Sequence, residues 1–498
     1  MKRFKEVEEA RVLAHRDPLS DSVHRSSLLV PELPGSDVEI SFVNHFLLKR
    51  RYANVGCRIT AIDPEGRKIA SHLHPVTEPR VYRFPLSGSV PEPVSTYMVE
   101  FFAAENLAIP FPAVMINHRG PGFLNGVHAY NRVLNDVFED DVINAHQVAE
   151  ASVDVSLEDG RDTFAVFTAG PLACRGELEI ELESPESRRR SSIPLDVPRF
   201  CQRVISLREV FPGSTDSPSG VLKIRQPQQF LFYGRMLTGI RTAGGQFSAN
   251  HSYYDLSSAP EYWEDRRGSF RAYPCFPSFR SAIRMYPIQS PGRLSISVGL
   301  HSETGAELAR VPVGELVSPG GCFLDVSIDQ LAESAGIGQG RVRSFVVYAE
   351  TESGGVPCRV NHQLAYSSGA LASSINVSLF NPNVFSPPGR TGLTWGQVMV
   401  GDEIDSRFAI VGNSPVAERC DVELSFYDES GRVADARRSL DPGGTIEIDP
   451  MSDFGLRPGR NGEARPVWVM VRSVRSDITF FSVTRDRLSG HCTGEHGF

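Results

Sequence analysis

No stretch of this chain approaches the roughly 18 consecutive apolar residues that a membrane-crossing helix needs. Its start, Met1-Lys2-Arg3-Phe4-Lys5-Glu6, is charged and lacks the apolar core of a secretory signal, so a cytoplasmic location is the expectation. Paired cysteines are missing too: the eight cysteines, at 57, 174, 201, 275, 322, 358, 420 and 492, form no C-x-x-C. That excludes a dense disulfide framework and fits buried thiols in a reducing compartment. Nor is there a basic excess, since 51 Lys and Arg face 60 Asp and Glu for a formal charge of −9. A nucleic-acid-binding protein carries the opposite balance. The P-loop, the G-x-S-x-G elbow, H-E-x-x-H and a strand-to-helix G-x-G-x-x-G are all absent. This removes the commonest signatures of nucleotide enzymes, α/β-hydrolases and zinc peptidases.

What the chain does have is short apolar alternation punctuated by turns. Gly (43) and Pro (35) are frequent between many short β-branched runs, which favours an all-β fold. The C-terminal part shows the pattern best. Cys420-Asp421-Val422-Glu423-Leu424-Ser425-Phe426-Tyr427 alternates with period two and puts Val422, Leu424 and Phe426 on one face. Asp428-Glu429-Ser430-Gly431 then turns the chain, and Pro442-Gly443-Gly444 introduces Thr445-Ile446-Glu447-Ile448. Apolar runs at 467–471 and 478–483 complete a sandwich of six or seven strands.

Analogous runs at 55–62, 178–182 and 294–300 predict four tandem β-sandwich units of Ig-like or transducer-like type, with short helical caps. The caps are capping boxes, Ser206-Leu207-Arg208-Glu209 and Ser327-Ile328-Asp329-Gln330. The expected boundaries are an N-terminal appendage at 1–33 and a first sandwich at 34–150 with an Asn- and His-rich insertion at 119–150. A second sandwich at 151–280 ends in an aromatic connector at 256–280, and the third and fourth occupy 281–374 and 375–498. The Arg188-Arg189-Arg190 run reads as a solvated hairpin loop.

The strand Asp421-Val422-Glu423-Leu424-Ser425-Phe426-Tyr427-Asp428, the hairpin at 442–448 and the late strand running into Thr484-Arg485 resemble the small β-sandwich family of the Anabaena sensory rhodopsin transducer and its bacterial relatives. The resemblance covers about one unit. It implies a soluble, cytoplasmic binding or signalling module from a family of small oligomers, so four units in one chain would imitate such an oligomer.

Asn-His occurs three times, at Asn117-His118, Asn250-His251 and Asn361-His362, each time closing an apolar run. This reads as one position of a repeated domain, occupied by Thr484-Arg485 in the fourth unit. Amide and imidazole offer donors and acceptors, and with Tyr253, Tyr254, Asp255 and Tyr366 they suit a small polar ligand such as a carbohydrate. A structural reading of the pairs, as side chains bonding turn backbone, competes with this one. His118, His128 and His146, near Asp136, Glu139, Asp140 and Asp141, form a candidate divalent-metal site, because imidazole with carboxylate suits zinc. The leading expectation is thus a non-catalytic protein that binds a small polar ligand or a protein partner. A metal-dependent or hydrolytic enzyme using residues 117–146 is the alternative, and a structural scaffold is the third reading. No organic cofactor is implied, and an exposed sheet edge is the expected route to an oligomer.

Overall fold

The alternation at 420–427 becomes the strand Cys420–Asp428, with Val422, Leu424 and Phe426 buried and Asp421 and Glu423 exposed. The structure is a computed structural model that describes Lys2, Arg3 and residues 25–498, except 106, 108, 110, 111, 136–148, 159, 185, 186, 213–219, 228–234, 256–261, 265–267, 287–291, 319–322, 339, 353, 354, 358, 359, 370, 380–390 and 414–417. His146 and residues 4–24 of the expected appendage lie outside the described residues.

The first sandwich has strands β1 (Arg25–Pro31), β2 (Asp37–Val43), β3 (Val55–Ile62), β4 (Lys68–Val76), β5 (Val81–Pro85), β6 (Thr96–Ala103), β7 (Met115–Gly120) and β8 (Phe123–His128). The second has β9 (Ala149–Ser152), β10 (Asp162–Thr168), β11 (Cys174–Glu183), β12 (Arg188–Val197), β13 (Gln202–Ser206), β14 (Val221–Arg225), β15 (Leu237–Arg241) and β16 (Phe247–His251). In the third lie β17 (Gly268–Pro274), β18 (Arg280–Met285), β19 (Gly292–His301), β20 (Glu307–Ser318), β21 (Leu324–Ser327), β22 (Ser344–Glu350), β23 (Val360–Ser367) and β24 (Ile375–Leu379). The fourth holds β25 (Gly392–Val400), β26 (Ile404–Gly412), β27 (Cys420–Asp428), β28 (Gly431–Leu440), β29 (Thr445–Ile448), β30 (Arg465–Ser473), β31 (Ile478–Asp486) and β32 (Cys492–His496).

Each set of eight makes two antiparallel sheets in one recurring order, β1-β6-β3-β4 and β5-β2-β7-β8 in the first sandwich and β25-β30-β27-β28 and β29-β26-β31-β32 in the fourth. The all-β, four-sandwich architecture follows the sequence pattern. Its strand order departs from the immunoglobulin one, in which strands A, B, E and D share a sheet. Here the first strand borders the sixth, and the second borders the seventh. The first strands also begin earlier than the expected boundaries. Strand β1, with Leu28, Leu29 and Val30 fully buried, lies in the stretch read as an appendage, and β17 lies in the stretch read as a connector.

Helices are short and capped. Ser206 accepts from Glu209 N at the start of α2 (Leu207–Val210), and Ser327 accepts from Gln330 N at α3 (Ile328–Ser334), as the capping boxes predict. Two more were not legible as boxes: α1 (His45–Arg50), capped by Asn44, and α4 (Pro450–Phe454), where Asp449 accepts from Met451 N and Ser452 N.

The inner faces of paired sheets fuse into cores. In the fourth sandwich Phe408 stacks on Phe480 with ring centroids 5.3 Å apart, among Val398, Ile410, Val422, Leu424, Phe426, Val467, Val469 and Val471. Gly396 is required there, because a Cβ would come 2.1 Å from the Phe480 ring. Burying one such phenylalanine stabilises the fold by about 1.5–3 kcal/mol.

The chain divides into two units, which we call N-terminal (Lys5–Pro121 with Asn125–Asp255) and C-terminal (Leu256–Phe498 with Met1–Phe4 and Gly122–Leu124). Within the N-terminal unit, Leu29, Ile62 and Met98 of the first sandwich join the core of the second. Within the C-terminal unit, Ala409, Val411, Phe481, Val483 and Cys492 of the fourth join the core of the third. In both, an asparagine of one sandwich satisfies an edge strand of its neighbour: Asn125 Oδ1 accepts from Ala249 N at 2.8 Å, and Asn413 Oδ1 from Ala272 N at 3.0 Å. Taking up such edge groups blocks strand addition. Among the described residues, no helix is long and apolar enough to cross a membrane, and the six described cysteines are free.

Candidate functional site

The three Asn-His pairs do not occupy one repeated position. His118 lies on β7 opposite Val38, near the start of β2, while His362 lies on β23 opposite Met285, the last residue of β18. His251 lies on β16, an eighth strand, opposite Leu237. The dipeptide repeats while the register does not, and a shift in strand pairing changes what each side chain meets.

All three histidines are buried, His118 completely and His362 and His251 to within 1% and 4% exposure. His362 donates Nδ1–H to Val360 O at 3.1 Å, and its Nε2 accepts the Tyr273 hydroxyl at 2.7 Å. The His118 ring meets Phe247 of the second sandwich edge-on at 5.6 Å. Desolvation pushes His118 and His362 down to about 3, so both are neutral across the physiological range. The asparagines are equally committed. Asn117 donates to Glu39, which also holds Arg83 and Arg119; Asn250 Oδ1 accepts from His251 N; Asn361 Oδ1 accepts the Ser378 hydroxyl at 2.6 Å. Tyr366 is fully buried and donates its hydroxyl to Pro274 O, while Tyr253 is 4% exposed. Asp255, partly exposed, fixes its own backbone to Ala149 O. These residues join strands, sheets and neighbouring sandwiches. At the Asn-His pairs, Tyr253 and Tyr366 the expected ligand mouths are therefore corrected to interior contacts.

The metal grouping changes in the same way. His118 joins no cluster of metal-ligating side chains among the described residues. His128 meets His251 instead, with Nε2 atoms 3.2 Å apart. His146, Asp136, Glu139, Asp140 and Asp141 lie outside the described residues. Arg188 and Arg190 both pair with Glu181 on the adjacent strand, which offsets part of the charge of the basic run.

One buried acid escaped the sequence. Glu150 on β9 is fully buried, accepts from Met236 N at 3.0 Å and from the Ser252 hydroxyl, and has the Gln226 side chain beside it. Burial outweighs these bonds and pushes it up to about 7. A lone Glu in an Ala-Glu-Ala-Ser stretch gives no sign of this environment.

A cleft of about 330 Å³ opens at one end of the fourth sandwich, lined by Met399, Ile404, Asp405, Ser406, Asp449, Pro450, Met451, Ser452 and Arg487. Strand β26 presents Asp405 and Ser406, and the cap of α4 presents Asp449 through Ser452. Arg407 bridges the two carboxylates, reaching Asp449 at 2.6 Å and Asp405 at 3.5 Å, and Arg485 holds the other Asp405 oxygen at 2.8 Å. Ser406 is hydrogen-bonded to Thr484 at 2.9 Å, and Arg487 donates to Asp402 O at 3.0 Å. The polar groups are thus held in place, the two carboxylates in ion pairs and Arg487 on a backbone carbonyl, over an apolar floor of Met399, Ile404, Pro450 and Met451. The readable signal was Asp449-Pro450, an N-cap followed by Pro at the first helical position.

No family model and no curated protein matches this chain. Among solved structures it is similar, at 10% identity and a TM-score of 0.10, to trypsin activated alpha-2-macroglobulin from Escherichia coli, across 92% of this chain and 29% of that one. This chain therefore spans under a third of that protein's length, and so faint a likeness assigns neither fold nor activity.

Proposed function

We propose that this protein is a non-catalytic, multi-sandwich binding protein whose ligand is a small neutral polyol or monosaccharide, taken up in the cleft of the fourth sandwich. The observation that carries the reading is the lining itself. Ligand sites run from about 300 to 1,000 Å³ and combine apolar walls with a few fixed polar groups, and this cleft of about 330 Å³ has that composition. Because Asp405 and Asp449 are paired with arginines, the cleft favours hydroxyl groups over a second cation. Catalysis finds no footing in the lining: the Ser406 hydroxyl meets Thr484 rather than a base, and both carboxylates are tied in ion pairs.

Thermal-shift and calorimetric titration of the full chain with a panel of monosaccharides and polyols tests the reading. A ligand that binds only the folded state raises its melting temperature. Met451→Trp, which fills the cleft, is expected to abolish that response, whereas His362→Gln is expected to leave it at its full relative size. A response that survives Met451→Trp, or none from any member of the panel, rejects the site.

A further inference from the structure

We infer that His128 and His251 of the N-terminal unit form a binding site for a divalent transition-metal ion of the zinc class. The two Nε2 atoms lie 3.2 Å apart, and the rings stand nearly perpendicular at 85° with centroids 4.7 Å apart. Two zinc–imidazole bonds of about 2.0–2.1 Å opening at a tetrahedral angle hold their nitrogens about 3.3 Å apart. The observed separation, spanned by an Nε2–H···Nε2 hydrogen bond from His128 to His251, matches that of two imidazoles sharing one ion.

A second observation points the same way. His251 Nδ1 lies 2.7 Å from Ser252 O, a contact that requires Nδ1 to carry the proton, because a bare nitrogen would face the carbonyl lone pairs. This leaves the Nε2 lone pair directed at His128. A histidine that donates one ring N–H to a backbone carbonyl and offers the other nitrogen is the usual form of a metal-ligating imidazole. Arg235 Nη1, 3.2 Å from the same Nδ1, cannot bond to it, since both atoms carry hydrogen. His251 is buried and His128 partly exposed, which anchors one ligand and leaves ions a way in. Two imidazoles fill half of a tetrahedral set. The affinity expected is therefore modest, and the ion class is set by imidazole preference: Zn²⁺, Co²⁺, Ni²⁺ or Cu²⁺ over Mg²⁺ or Ca²⁺. The site shares no residue with the sandwich-four cleft and does not rest on it.

Tag-free full-length protein, stripped with EDTA and desalted, is titrated with Zn²⁺ by calorimetry and with Co²⁺ by visible absorption. About one ion per chain is expected, with His128→Gln and His251→Gln each weakening binding about tenfold or more and His118→Gln leaving it unchanged. Mg²⁺ at the same concentrations should give no heat. If His251→Gln disturbs folding, two readouts remain: the partly exposed His128→Gln, and imidazole ¹⁵N spectra of the wild-type chain, where Zn²⁺ must move two Nε2 signals. Absence of binding at millimolar Zn²⁺, undiminished binding in His128→Gln, or unmoved Nε2 signals each overturns the assignment.

Discussion

Two seams join sandwiches inside this chain, one in each unit, and they differ in how much apolar surface they carry, although both hold polar contacts such as Arg343 with Glu447 at 2.9 Å in the C-terminal one. In the C-terminal unit the seam is an extension of the core: Ala409, Val411, Phe481, Val483 and Cys492 continue the apolar cluster of the third sandwich, and Tyr273 packs on Phe481 at 5.6 Å. The buried His362 there has both ring nitrogens bonded. In the N-terminal unit the apolar share is smaller, Leu29, Ile62 and Met98. Polar contacts take up the rest: Thr96 donates to Phe200 O, Gln202 to Glu32 O, and Cys201 Sγ–H to Asp63 O at 3.2 Å. Two imidazole contacts, His118 with Phe247 and His128 with His251, lie in the same seam. Apolar burial is strong and indifferent to direction, whereas buried polar pairs add little net energy but fix geometry and respond to pH.

Substitutions can break this comparison. Phe481→Ala, at the centre of the apolar seam, should cost about 3–5 kcal/mol, seen in chemical denaturation as an early transition confined to the C-terminal unit. Met98→Ala should cost about 2–4 kcal/mol in the other unit; equal or greater loss than for Phe481→Ala would remove the distinction between the seams. Tyr273→Phe withdraws the donor from His362 Nε2 and strands a buried nitrogen, at about 1–3 kcal/mol by the same measurement. The smallest effects belong to the edge caps. Asn125→Ala and Asn413→Ala should each cost about 1 kcal/mol and speed amide exchange at Ala249 and Ala272.

Much of the fold was legible because period-two alternation and turn chemistry are local properties. The strand at 420–428, its turn at Gly431 and both Ser-initiated caps were readable for that reason. The first strands β1 and β17 were not, since Leu28, Leu29 and Val30 form a continuous run that pairing alone turns into a strand buried on both faces. The site was less legible still. Asn117-His118 and Asn361-His362 look identical in sequence, yet opposite Val38 and Met285 they meet different neighbours, and register is a long-range property. Asp405 and Asp449 come together only because β26 pairs with β29, which delivers the chain into the cap of α4. His128 and His251, far apart in sequence, face each other only once the first two sandwiches dock.

The contrast between the seams is tested most directly by hydrogen-exchange mass spectrometry on the full chain at pH 7 and pH 5, with exchange corrected for its intrinsic pH dependence. His362, held near 3 against about 6.5 when unfolded, contributes stability that is present above pH 6.5 and lost as pH falls toward 3, opposed in part within its unit by Glu447, whose carboxyl burial raises. His118 behaves likewise, but its unit also contains Glu150, raised to about 7 from 4.5, whose contribution is full below pH 4.5 and lost as pH rises through 7. Each group acts with a slope of about 1.4 kcal/mol per pH unit, so the two cancel in the N-terminal unit between pH 4.5 and 6.5. The expected result is that β22, β23 and β31 lose protection at pH 5 while β10, β14 and β15 keep theirs, and that Glu150→Gln makes the N-terminal unit fall as the C-terminal one does. Equal loss in both units of the wild-type chain, or no change on Glu150→Gln, would contradict the account.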